Sequence, residues 1–194
     1  MKKATLLFLI LLVYAALSGV AAATTANLYF TGQTATNGGP VGPYTFNINN
    51  GSNTLLVCAS DHNNIIGGEA WEANVYNIGQ MDGVFGATES QWLSASYYAY
   101  LLMGDPGNAD LQTDVWASVG LDGNAPFPPA PPLSWTAQGV RFYIPIPGTV
   151  VPPSDGTTYG LPQPFIQTRE PASLSLLGVG LLGLVGALRV KRER

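Results

Sequence analysis

Charged side chains are scarce in this chain of 194 residues: they make up 10% of it, whereas a soluble domain ordinarily carries about a quarter. That scarcity excludes a coiled coil and a charged disordered tail. With one histidine and one cysteine, the chain can form no intramolecular disulfide and no zinc site of His and Cys ligands. Walker-type, dinucleotide-binding and Gly-x-Ser-x-Gly motifs are also missing. We therefore expect no cofactor and no metal.

Basic residues are nearly absent from the middle of the chain. Between Thr24 and Arg169 the only cations are Arg141 and Arg169, against ten acidic residues, which gives this stretch a formal charge of −8. Such a surface repels phosphate backbones and anionic lipid head groups. The sequence therefore predicts that the protein does not bind nucleic acid.

Glycine and proline are abundant, at 23 and 15 residues, and they favour strands and loops over a helical bundle. Short apolar or alternating runs predict strands over 26–30, 44–48, 55–58, 71–78 and 141–146. Helical spacing behind the capping signal at Thr88 predicts a helix over 89–103, and a second helix is expected over 110–119. We expect a mainly β domain with two α-helices (α+β), a β-sandwich or barrel-like fold over 24–149. The proline-rich residues 150–168 are expected to form a stalk.

The N-terminus has the layout of a secretory signal peptide over residues 1–23. Two lysines precede an almost purely apolar run, which as a helix would enter the membrane, and the small residues Ala21 and Ala23 complete an Ala-x-Ala cleavage site. We expect signal peptidase to act here, although an uncleaved membrane anchor is the alternative.

The C-terminus resembles a membrane anchor. Residues 172–188 carry no charge and would form a helix about 25 Å long, at the short limit for one transmembrane span. The basic cluster that follows consists of Arg189, Lys191, Arg192 and Arg194. By the positive-inside tendency this cluster stays cytoplasmic and the middle of the chain lies outside.

The tail over 169–194 resembles a specific signal. Glu170 and Pro171, the apolar helix and the basic cluster stand in the order of a PEP-CTERM sorting tail, with Arg169 in place of the first proline. The resemblance implies recognition by an exosortase-like membrane transpeptidase. It also implies an exported protein of a Gram-negative bacterium, first anchored in the inner membrane and then at the cell surface or outside the cell.

One weaker resemblance concerns Cys58 and Gln112. Cys58 ends a predicted strand, and residues 111–116 have the form apolar-Gln-x-x-apolar-Trp, which is similar to the glutamine motif of bacterial thioester domains. In that family a strand cysteine attacks the glutamine carboxamide, ammonia leaves, and the resulting thioester captures an amine. The plainer interpretation of Cys58 is a buried strand residue. A catalytic pair of Cys58 with His62 is a poorer interpretation, because four residues leading into a loop do not force contact.

Three classes of function remain open. We expect a non-enzymatic surface or extracellular-matrix protein, linked to the cell envelope or a biofilm and in contact with exopolysaccharide or surface amines. The first alternative is an adhesin-like domain with an internal Cys58–Gln112 thioester. The second is a secreted hydrolase, for which no acid–base pair stands out in the sequence.

Overall fold

The structure is a computed structural model, and it describes residues 24–34, 41–61, 65–120, 125–156 and 161–169. The expected signal peptide, the sorting motif, the 172–188 helix and the terminal basic cluster lie outside these ranges. Within the described residues, no helix has the length and apolar character needed to span a membrane.

Six antiparallel strands form a closed barrel in the order β1-β2-β3-β6-β5-β4, and β4 pairs with β1 to complete it. The strands are β1 (Thr24–Thr34), β2 (Tyr44–Ile48), β3 (Asn53–Cys58), β4 (Ala70–Tyr76), β5 (Arg141–Pro145) and β6 (Phe165–Gln167). Closure leaves no free strand edge in the sheet. The expectation of a mainly β fold with two helices is confirmed, and the structure selects the barrel.

The interior of the barrel is filled by alternate residues of its strands. Leu28 on β1 lies opposite Trp71 on β4, and both side chains are almost fully buried. Aromatic rings pack closely here: the centroids of Phe46 and Phe165 are 4.7 Å apart. The period of two in a strand places every second side chain on this face, which explains the alternation of apolar residues in the sequence.

Two helices cover the outer face of β3, β6 and β5. They are α1 (Glu89–Gly104) and α2 (Ala109–Ser118), close to the predicted ranges. Thr88 caps α1 by accepting a hydrogen bond from the Gln91 backbone N–H, and Gln91 completes a capping box. The helical face of α1 buries Trp92 against Phe142 of β5, with ring centroids 5.5 Å apart. A second core therefore lies between helices and barrel.

The prediction of a stalk over 150–168 is wrong for its described C-terminal part. β6 pairs with β3 on one side and with β5 on the other, so it closes the barrel. Phe165 and Ile166 are buried on opposite faces, one in the barrel interior and one beneath the helices. Val151 also bridges to Ala70 of β4. Backbone pairing holds all three residues, and apolar burial also holds Phe165 and Ile166; a solvated stalk would lack both.

Candidate functional site

Cys58 is the last residue of β3, and its side chain points into the barrel. It is 1% exposed and belongs to the interior cluster with Leu56, two residues earlier on the same strand. Val57 between them faces the helices. The interpretation of Cys58 as a buried strand residue is therefore confirmed, and its position at the strand end brings it next to the helical layer.

Gln112 lies on α2 and is fully buried, although its carboxamide is polar. Its Nε2 donates to the backbone carbonyl of Cys58 at 2.9 Å, and its Oε1 accepts from the backbone N–H of Gly42 at 3.1 Å. Both halves of the carboxamide are thus paired, as a buried amide requires. The fold brings together two residues separated by 54 positions in the sequence.

Gly42 is the member of this site that sequence reasoning missed. It is buried just before β2. Its carbonyl accepts a hydrogen bond, at 3.3 Å, from the N–H of Gly107, which lies in the turn between the two helices. A Cβ at position 42 would lie 3.1 Å from Gln112 Oε1 and 3.2 Å from the Tyr44 ring. Glycine therefore permits the close approach of the backbone to the carboxamide. The only sequence signal was a Gly-Pro pair, which indicates a turn and no more.

Tyr44 and Trp116 surround the Cys58 thiol. Burial raises the pKa of the thiol to about 12, while interactions with Trp116 and Tyr44 and a backbone hydrogen bond oppose the rise, and Asp61 adds to it. Burial, with the charge and hydrogen bond of Cys58, also raises the pKa of Tyr44 above its usual range. Among the described residues, the indole nitrogen of Trp116 has no hydrogen-bond partner of regular geometry. A thiol with this pKa stays protonated at neutral pH.

The helical repeat explains why Gln112 and Trp116 reach the same strand end. Residues four apart lie on one face of a helix, one turn from each other. Gln112 contacts the backbone of Cys58, while Trp116 packs against both the barrel interior and the core beneath the helices. The apolar-Gln-x-x-apolar-Trp pattern therefore presents an amide and an indole together to residue 58.

Within the described residues, no further sequence candidate joins this site. His62 lies outside the described residues, and Asp61 is exposed. In the described ranges no three His, Cys, Asp or Glu side chains are grouped to hold a metal ion. A cavity of about 220 Å³ near the start of α1 is lined by Ser, Gln, Phe, Pro and Ala residues, so it contains no acid–base pair.

Acidic side chains outnumber basic ones in the described part of the chain. In the described part of the chain, nine carboxylates accompany two arginines, so cationic ligands are favoured over anionic ones. Burial, together with the nearby charge of Asp110, raises the pKa of the Asp114 carboxyl on α2.

No family model, curated protein or solved structure matches the chain. The fold and the buried carboxamide are therefore the features that bear on its function.

Proposed function

We propose that this chain is an exported surface protein whose barrel forms an internal thioester between Cys58 and Gln112. The observation that carries the proposal is the fully buried Gln112 carboxamide, hydrogen-bonded at 2.9 Å to the backbone of the chain's one cysteine. A free thiol in an exported protein is susceptible to oxidation and to thiol–disulfide exchange. Thioester formation would remove that thiol.

The reaction requires only the two side chains. The Cys58 sulfur bonds to Gln112 Cδ, the C–Nε2 bond breaks, and the thiol proton leaves on nitrogen as ammonia. A primary amine can later attack the same carbon, which gives a substituted Gln112 amide and returns the Cys58 thiol. The buried, largely aromatic surroundings slow hydrolysis in the meantime, because they exclude water.

The acidic surface supports an amine as the partner. Protonated amines on proteins or amino sugars are attracted by the excess of carboxylates and lose their proton before attack. Covalent capture of this kind suits a surface or matrix protein that must stay attached without metabolic energy. The expected surface role then has a defined chemistry. Each molecule reacts with one amine and does not turn over.

Intact mass of the purified exported protein tests the thioester. We expect the wild-type mass to be lower than the sequence mass by one ammonia, and Cys58→Ser to have its full sequence mass. Methylamine should add to the wild type but not to Cys58→Ser. Gln91→Ala, which alters a glutamine outside the site, is the matched control and should retain the deficit.

A wild-type protein that is folded and has its full mass would contradict the proposal. Alkylation of the native protein cannot replace the mass measurement. Cys58 is 1% exposed, so a reagent in solution does not reach its sulfur whether that sulfur is a free thiol or part of a thioester.

Sorting by the C-terminal tail is a second part of the proposal. We expect the wild type to reach the cell surface in a host with an exosortase, and to remain in the inner membrane when the exosortase gene is deleted. A chain ending at Arg169 retains β6 and should be released in soluble form in both strains. Cell fractionation with immunoblotting measures this, and the same wild-type location in both strains would argue against sorting.

A further inference from the structure

The contact between Gly42 and Gln112 has a chemical consequence beyond holding the helix in place. Oε1 of Gln112 is the atom on which negative charge collects when a nucleophile adds to Cδ. The backbone N–H of Gly42 already lies 3.1 Å from that oxygen. Backbone N–H groups aimed at a developing oxyanion are a main source of rate acceleration in acyl transfer.

We infer that the Gly42 N–H is the oxyanion donor for both reactions of the Cys58–Gln112 pair, so Gly42 is a catalytic residue of the site. This inference rests on the proposed thioester. As the Cys58 sulfur adds to Cδ, the carbonyl electron pair moves to Oε1 and is stabilised by the N–H. The pair returns to re-form the carbonyl as nitrogen leaves with the thiol proton as ammonia. Amine attack on the thioester places charge on the same oxygen.

The surroundings of Gly42 favour this role. Gly42 is buried, and its carbonyl, which lies on the peptide unit after the N–H, accepts from Gly107 at 3.3 Å, so the residue is tied to the turn between α1 and α2. The N–H is therefore held in position before the reaction. It is also shielded from water, and its electrostatic field is stronger in the protein interior than in water. On the other side of the carboxamide, the Cys58 carbonyl accepts from Nε2 and fixes which atom is the leaving group.

Replacing Gly42 by glycolic acid tests the inference, because it exchanges this N–H for an oxygen without adding a side chain. Cell-free translation of the full chain can introduce it. Ammonium chloride first converts the thioester back to thiol and carboxamide; after ammonia is removed, intact mass follows the return of the deficit. Loss of one oxyanion donor should slow this return about 100-fold, and methylamine capture by a similar factor.

Glycolic acid at Gly68 is the matched control. The Gly68 N–H also makes a tertiary backbone hydrogen bond, to Phe30 at 2.8 Å, but it lies outside the site. Rates for the Gly42 ester equal to those of the Gly68 ester would overturn the inference. A wild type without any mass deficit would instead contradict the thioester itself, so the two failures are distinguishable.

A second pair of variants covers the case in which the Gly42 ester does not fold. Gly42→Ala retains the N–H, but its methyl group would lie 3.1 Å from Gln112 Oε1. We expect this contact to push the oxygen away from the N–H. Gly67→Ala crowds the Gly32 backbone at 2.8 Å, away from the site. We expect only Gly42→Ala to slow both reactions; equal rates in the two alanine variants would overturn the inference.

Discussion

Replacing Gln112 by leucine in a Cys58→Ala background should lower the free energy of unfolding by about 3 kcal/mol. The Cys58→Ala change preserves the carboxamide whatever its chemistry, so the measurement isolates its hydrogen bonds. Leucine fills similar volume but leaves the Gly42 N–H and the backbone carbonyl of residue 58 buried without partners. Each orphaned group costs about 1–3 kcal/mol. Urea denaturation followed by tryptophan fluorescence measures the loss.

Gln91→Leu in the same background is the control. Gln91 also uses its side chain to bind backbone, accepting from the Thr88 N–H at 2.8 Å. That bond is exposed, so water replaces it and the expected loss is about 1 kcal/mol or less. Equal stabilities of the two double variants would show that the buried carboxamide contributes little to the fold.

The Gln112 carboxamide is expected both to stabilise the fold and to react, and the two roles have one physical origin. A buried carboxamide with both ends paired is held rigidly, and rigidity keeps the reacting carbon next to residue 58. The same hydrogen bonds that attach α2 to the barrel would therefore also orient the carboxamide for the proposed reaction. In the proposed reaction, loss of ammonia would remove the Nε2 bond to the Cys58 carbonyl and replace it with a covalent link between helix and strand.

Sequence reasoning identified the two side chains of this site but missed the backbone that serves it. Cys58 and Gln112 were paired because residues 111–116 resemble the glutamine motif of bacterial thioester domains, which implies a partner cysteine on an earlier strand. Gly42 contributes only an N–H and the space left by a missing side chain. Every residue except proline carries that N–H, so its role depends on tertiary position, and no spacing in the sequence reports it.

β6 escaped sequence reasoning for a different reason. It has three residues and follows Pro162 and Pro164, so its local composition favours extended, unpaired chain. Its partner strand β3 lies more than 100 positions earlier in the sequence, and contacts between such distant segments close the barrel. Periodicity within a short window cannot detect them.

Phe165→Ala should therefore destabilise the domain by about 4 kcal/mol, as expected for a large aromatic ring removed from a packed core. The Phe165 ring lies 1% exposed inside the barrel, edge-on to Phe46 at 4.7 Å and near Trp71 at 6.0 Å. Phe127→Ala makes the same chemical change at a side chain that is 66% exposed, and it should alter stability by less than about 0.5 kcal/mol. Urea denaturation of the two variants measures the difference.

The comparison also decides where the folded domain ends relative to the tail. If residues 161–169 formed a stalk, Phe165→Ala and Phe127→Ala would be equally harmless. A large loss for Phe165 alone means that the barrel extends to within two residues of Arg169, whose guanidinium lies 5.3 Å above the Trp135 ring. Any cut on the N-terminal side of β6 would then remove a strand that closes the barrel, so processing of the proposed sorting tail must leave β6 with the domain.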